Sequence, residues 1–367
     1  RDAGFTIFYM GINIGSIGSQ TLCPLLVTWF GWWAGFLLIA TGMGVAYLLM
    51  QFDGGRLKGY GDPPPGPEAK RAPLIYALAI LAVPLIWLVL LNVMNAPEPV
   101  EGAGFTAYIA GLPILGKALF VIFLGAVIGI PAWAWRTGNR AEFQMMLAAT
   151  ILIIFNVTFW TLVEQAGSSL TLFADRNTSL QLWGIPVSAG QTQNFNPITI
   201  VIFAPILSWL WGVLSRRKLE PSIPVKFGLA LIGVGLGFVL LAWSGQFAGA
   251  TFRVSLWWLV LSYFIQSVAE LLISPVGLSM ITKLSIARVV GLMVGVWFLS
   301  FSIAEYLAGA IAQSASVETV GGQVTNPELS LHTYLSSFWT GGLSTIVVGI
   351  VLLCLTPVLK RLMHGVR

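Results

Sequence analysis

Charge is the scarcest commodity in this chain: of 367 residues only 9% are charged, while 57% are hydrophobic. A water-soluble domain carries about a quarter charged residues. A soluble globular fold is therefore excluded, and the expected class is an all-α polytopic membrane protein. A membrane β-barrel is excluded by pattern. Barrel strands alternate polar and apolar residues in stretches of about ten, whereas the apolar runs here are long and continuous. Cysteine is nearly missing. Cys23 and Cys354 lie far apart within apolar runs and read as small buried hydrophobes, not as a disulfide framework. Histidine is as rare, and His332 and His364 fall at or beyond helix ends. With so few Cys and His no conventional zinc or haem site can be written, so neither metal nor resident cofactor is expected. No GxxxxGK[ST] phosphate loop occurs, so ATP is not the expected energy source.

Breaks at polar and Pro/Gly-rich stretches leave ten apolar segments, near 4–27, 29–51, 73–95, 105–134, 142–174, 195–215, 225–247, 254–282, 288–313 and 334–359. Each is long enough to cross a hydrocarbon core of about 30 Å. The connection from Gln51 to Ala72 contains Gly61-Asp62-Pro63-Pro64-Pro65-Gly66-Pro67, which breaks any helix and reads as a linker. The chain opens on Arg1-Asp2-Ala3-Gly4 without methionine or signal-peptide pattern, so it is expected to start inside a longer protein.

Alternating the segments from Arg1 gathers every Lys and Arg on one side except Lys117, Arg176 and Arg253. Glu98, Glu101, Asp175, Glu318 and Glu328 fall on the other side. The positive side is cytoplasmic, which places both chain ends there. The net charge of +5 thus belongs to topology and lipid headgroups, and nucleic acid is not an expected partner.

Three glutamates stand out against this background. Glu164, Glu270 and Glu305 each have no other charged residue within ten positions. A carboxylate at mid-membrane depth costs about 2.5–3.5 kcal/mol on insertion scales, so it faces a cavity or a partner and marks a transport path by default. Asn156, Trp160 and Glu164 recur at i, i+4 and i+8 and share one helical face. Their alternative is a structural carboxylate bonded to a neighbouring helix. Pro275 removes the donor to the Leu271 carbonyl, which leaves two acceptors near Glu270 for a cationic group, or an ordinary kink. Glu305 reads equally as a satisfied interior acid or as part of a path. Asn196, followed by Pro197 at the start of a segment, is either a substrate amide or a cap. Gly233, Gly235 and Gly237 read as helix packing.

Five ordered motifs now carry a resemblance. Phe5-Thr6-Ile7-Phe8-Tyr9-Met10-Gly11-Ile12-Asn13-Ile14-Gly15-Ser16-Ile17, preceded by Arg1-Asp2-Ala3-Gly4, resembles a signature of the proton-dependent oligopeptide transporters, bacterial type. So do Trp160 with Glu164-Gln165-Ala166-Gly167-Ser168-Ser169-Leu170, and Asn194-Phe195-Asn196-Pro197. The remaining two are Glu270 with Ser274-Pro275-Val276-Gly277-Leu278, and Gly295-Val296-Trp297-Phe298-Leu299-Ser300. The resemblance covers essentially the whole chain. It implies a major facilitator fold of two six-helix bundles around a central cavity, with two additional helices between the bundles.

On that alignment residues 1–51 are the last two helices of the N-terminal bundle, 52–72 a cytoplasmic linker, 73–141 the additional pair and 142–367 the C-terminal bundle. The family's ExxER motif and fourth-helix lysine are not found here. The resemblance further implies proton-coupled symport of di- and tripeptides by a monomer in a bacterial inner membrane, with the proton as coupling ion. Glu270 and Asn196 would hold the peptide amino terminus and Glu164 would be the proton-linked carboxylate. Asn13 would contact the peptide backbone, and Trp160, Trp297 and Ser300 would line side-chain pockets. Val163 departs from the family's phenylalanine before the Glu-Gln pair, and Glu305 matches no motif. The alternative within the class is a proton-coupled symporter of nitrate or a drug-like anion. An intramembrane enzyme is the remote one, since neither histidine is placed as a base.

Overall fold

Each apolar run folds into a helix. In the computed structural model, which describes residues 2–52, 54–56, 58, 72–95, 111–315, 319–320 and 323–366, the first four are α1 (Asp2–Phe30), α2 (Trp32–Gln51), α3 (Ala72–Met94) and α4 (Ile114–Thr137). Then come α5 (Arg140–Val163), the short α6 (Ser169–Asn177), α7 (Phe195–Arg216) and α8 (Ile223–Trp243). The last are α9 (Leu256–Leu284), α10 (Val290–Ser314) and α11 (Pro327–Leu362). Most of the Pro-rich linker expected at 52–72 lies outside the described residues, as do the side chains of 2–10 and of Pro275.

Local chemistry sets the helix starts. The Asn139 side chain accepts from the Glu142 N–H, and the Glu142 carboxylate accepts from the Asn139 N–H, both at 2.9 Å, a reciprocal cap. Asn326 caps α11 through the Leu329 N–H at 3.0 Å, and Pro224 and Pro327 occupy first turns, where no intrahelical N–H is needed. Pro24, Pro84, Pro131, Pro205 and Pro357 sit inside helices, as spanning helices tolerate.

Among the described residues nine stretches are long and apolar enough to cross a membrane, with 140–177 counted as one. The sequence reading of ten counted α1 as well. At 29 residues α1 is long enough, but Asn13, Ser16, Ser19, Gln20 and Thr21 dilute its apolarity.

The chain divides into two compact units, one of Arg1–Trp29 with Phe123–Arg367 and one of Phe30–Ile122. In the second, α3 buries none of its residues, and the Asn92 side chain accepts from the Ile114 N–H at 2.9 Å to join the ends of α3 and α4. In the first, α8 packs along both α11 and α9. A Cβ added at Gly235 would lie 2.6 Å from the Gly342 carbonyl oxygen, and one at Gly349 would lie 2.9 Å from that of Gly228. Gly233 meets Ala269 and Gly237 meets Ser262, both on α9, so these glycines serve helix packing.

At one end of this unit the buried Asn177 gathers three segments. Its amide nitrogen donates to the Phe252 carbonyl at 3.0 Å and the Pro327 carbonyl at 3.1 Å, and its oxygen accepts from the Ser330 hydroxyl at 2.7 Å. Just beyond it, β1 (Thr178–Ser179) pairs in parallel with β4 (Val254–Ser255), and β2 (Gln181–Leu182) forms a hairpin with β3 (Ile185–Pro186). Both cysteines are free thiols, and neither is fully buried as the sequence led us to expect: Cys23 is half-buried and Cys354 exposed. On a spanning helix an exposed face meets lipid, where a thiol is at little disadvantage.

Candidate functional site

Asn196 and Glu270 come together. The helix α7 starts at Phe195 directly after a 3-10 turn over Gly190–Asn194, and the Phe195 ring packs 6.2 Å from that of Tyr263 on α9. One residue on, the Asn196 amide nitrogen donates to the Glu270 carboxylate at 2.9 Å and to the Ser267 hydroxyl at 3.0 Å. Asn196 is therefore an inter-helix donor, not a cap. Both amide hydrogens are committed, so the carbonyl oxygen is what Asn196 offers to a solute. Glu270 is 7% exposed. Ser267, one turn before Glu270 on α9, was not singled out from the sequence, although the i, i+3 spacing is the signal that finds it.

Glu164 sits at a break. The sequence reads 142–174 as one segment, but the α-helix stops at Val163, and a 3-10 turn runs over Glu164–Gly167. Ser168 then leaves helical geometry with φ −130° and ψ −97° before α6 begins. At the break the side chain of the neighbouring Gln165 takes over the Thr161 carbonyl, which a continuing helix would have bonded through the backbone. The Gln165 amide nitrogen donates to the carbonyls of Thr161 and of Ala308 on α10, each at 3.2 Å, and its oxygen accepts from the hydroxyls of Ser168 and Ser169. Glu164 itself is half-buried. Glu305, on α10, is exposed.

The remaining residues named from the sequence fall in two groups. Trp160, half-buried, packs with its ring tilted against Phe301 of α10, centroids 4.6 Å apart, and its indole N–H has no hydrogen-bond partner. Ser300 and Trp297 are buried within the bundle at 0% and 4% exposure. Ser300 accepts from the Asn156 amide at 2.9 Å and donates to the Trp297 carbonyl at 2.6 Å. Trp297 lies against Gly277, where an added Cβ would approach its ring to 2.3 Å. Asn13 is buried in α1. The same stretch of α1 meets the turn ahead of α7, where the Asn194 amide donates to the Thr21 hydroxyl at 3.1 Å. A groove of about 880 Å³ runs beside this site between α5, α10 and α11, lined by Thr158, Thr161, Leu307 and His332 among others. None of the seven site residues named from the sequence lines it.

The POT family profile matches residues 1–326. The uncharacterized transporter YclF of Bacillus subtilis is 33% identical over 367 residues, covering 100% of this chain and 69% of that protein. The dipeptide and tripeptide permease A of Erwinia pyrifoliae is 32% identical over 364 residues, covering 98% and 68%. Among solved structures, the peptide transporter POT in complex with sulfate superposes with a TM-score of 0.75 at 30% identity, covering 100% of this chain and 69% of that one. A mutant of POT in complex with alafosfalin gives 0.73 at 31% identity, with the same coverage. The fold is the all-α major facilitator fold of these transporters. Sequence and structure agree over nearly the whole length, and the chain belongs to the POT family.

Proposed function

We propose that this chain works in proton-coupled symport of di- and tripeptides by alternating access, in a bacterial inner membrane. The observation that carries the reading is the Asn196–Glu270 pair, bonded at 2.9 Å inside a membrane-spanning bundle. A peptide's amino terminus is an ammonium with three donors and no acceptor. Glu270 presents a carboxylate, and Asn196 holds it in place through its amide N–H. Peptides share their charged ends and differ in side chains, so fixed polar partners for the ends with aromatic walls such as Trp160 give broad specificity.

Glu164 is the proton-linked group in this reading. Glu164 sits at a helix break within the bundle, and a proton taken up there removes its charge. Its change of charge then alters the bonding that holds the bundles in one state. One charge crossing 100 mV gains about 2.3 kcal/mol, an accumulation of roughly fifty-fold per proton. Residues 1–51 would contribute the end of the N-terminal bundle, 52–72 a cytoplasmic linker, 73–141 an additional helix pair and 142–367 the C-terminal bundle. Both ends of the chain would face the cytoplasm, the working unit would be a monomer in lipid, and Asn13, Trp297 and Ser300 would shape the peptide's surroundings.

A symporter of nitrate or of a drug-like anion is the second reading, and the buried Glu270 carboxylate disfavours it, since an anion would meet its repulsion. An enzyme draws no support from a family of transporters.

The test is dipeptide uptake by the full-length protein in liposomes, with and without an imposed proton gradient. Uptake should require the gradient and be competed by dipeptides but not by nitrate. In Glu164→Gln, proton-driven accumulation is lost while peptide counterflow survives; accumulation at the wild-type level would remove Glu164 from this role.

A further inference from the structure

We propose that Gln165 is a positioning residue, whose amide pins the helix break to α10 and so fixes where the Glu164 carboxylate sits relative to Glu305. The inference rests on the proton-coupled reading above and extends it to a residue with no charge of its own.

A helix that ends inside a membrane leaves carbonyls of its last turn and N–H groups of the next helix without ladder partners, and each unsatisfied group is costly in hydrocarbon. At 164–168 side chains take up part of the loss: the Gln165 amide donates to the Thr161 carbonyl, and the Thr171 hydroxyl donates to that of Ala166 at 2.6 Å. Gln165 is 2% exposed. A primary amide has two donors and an acceptor oxygen with two lone pairs, and here all four are in use. One donor takes the Thr161 carbonyl in the last turn of α5, and the other takes the Ala308 carbonyl of α10. The oxygen takes the hydroxyls of Ser168 and Ser169, where α6 begins. Three helices are thus tied to one group that cannot titrate and is adjacent in sequence to one that can.

The tie also has a direction. Ala308 is one turn after Glu305 on α10, so the bond from Gln165 sets the register between the segment that carries Glu164 and the segment that carries Glu305. On the helices packed against α5, Glu305 lies on α10 and Glu270 on α9. Across the groove beside Thr161 lies His332 of α11. Asp175 and Arg176 lie at the far end of α6, and Arg176 donates to the Tyr334 hydroxyl at 3.0 Å. Loosening Gln165 changes the Glu164–Glu305 spacing without adding or removing any of these charges. It therefore shifts the pH dependence of transport and leaves the peptide-holding pair of Asn196 and Glu270 alone.

The experiment uses the full-length protein with Gln165→Met, which keeps length and removes every hydrogen bond of the amide. Proton-driven dipeptide accumulation should fall about ten-fold, the weight of one or two net hydrogen bonds, while counterflow stays within about two-fold of wild type. The pH profile of uptake should move, and amides of 164–169 should exchange faster with those of α8 and α11 unchanged. Ser169→Ala, which removes one partner only, should shift the profile in the same direction by less, and it decides the question if Gln165→Met does not fold. A wild-type pH profile in either folded variant overturns the proposal. So does a parallel fall of accumulation and counterflow with an unmoved profile, which would make Gln165 structural only. Wild-type protein without proton-driven uptake would instead defeat the symport reading, and the exchange rates at 164–169 would still show whether Gln165 holds the break.

Discussion

Along the seam of α8 with α11, Gly228 and Gly235 face Gly349 and Gly342 so closely that a methyl group at Gly235 would press on a carbonyl oxygen at 2.6 Å. Along the seam of α5 with α10, polar groups meet instead: Asn156 with Ser300, and Gln165 with the Ala308 carbonyl. There the Oδ1 of Asn156 and the Nε1 of Trp160 find no hydrogen-bond partner. The first seam brings the two backbones together with no space for a side chain at these glycines. The second tolerates an open donor, an open acceptor and a broken helix within two turns of one another. Lipid tails are as apolar as leucine, so helices here gain little from hydrophobic burial against each other. Backbone contact through glycine holds the α8–α11 pair, and hydrogen bonds hold the α5–α10 pair. Hydrogen bonds can be remade in a new register; interlocked glycines cannot.

Three substitutions break or sharpen this contrast. The largest effect is expected from Glu270→Gln, which removes the charge at the polar site. Dipeptide uptake should drop about thirty- to one-hundred-fold in kcat/KM, as for loss of a charge-assisted hydrogen bond of about 2–3 kcal/mol, with thermal stability in detergent unchanged. The converse is expected from Gly235→Ala, which should lower stability by about 1–3 kcal/mol through overpacking, seen as a lower Tm, with uptake per folded molecule preserved. If Gly235→Ala instead changed transport and spared stability, the two seams would have to exchange roles.

The smallest effect concerns the entry to α8. The Lys226 ammonium donates to the Glu220 carboxylate at 2.7 Å and lies 4.7 Å from the centre of the Trp211 ring. This hydrogen bond holds the Glu220 carboxyl below its usual pKa. Because the folded value is the lower one, the stabilisation is present above the ordinary carboxylate range and disappears as pH falls through the depressed value. The pair is partly exposed, so at most about 1 kcal/mol is at stake. In Glu220→Gln the decline of Tm on acidification from neutral pH should flatten slightly, and an unaltered acid limb would show that the pair contributes nothing.

Much of the fold was legible because the bilayer writes it in composition: continuous apolar runs gave the helices, and the sparse charges located the acids. The i, i+4, i+8 stripe of α5 placed Asn156, Trp160 and Glu164 on one face, and the chemistry of an intramembrane acid pointed to Glu270. The break at 164–168 was not legible. Val163, Glu164, Gln165 and Ala166 all accept helical geometry, and the bonds met at the break include one to Ala308, a long way along the chain. Nor was the burial of Ser300, whose partner Asn156 is 144 residues away. Local periodicity reports which face is polar, but not whether that face meets water or another helix. Cys354 shows the same limit, because an apolar run looks alike whether it faces protein or lipid.

The Asn177 junction has a mechanical corollary. Because this one amide bonds the approaches to both α9 and α11, the short helix α6 is built into a stiff collar at that rim. Directly beneath the collar comes the interruption at 164–168. What joins the shaft of α5 to this rim across the interruption is a single amide: Gln165 bonds the Thr161 carbonyl below and the hydroxyls of Ser168 and Ser169 above.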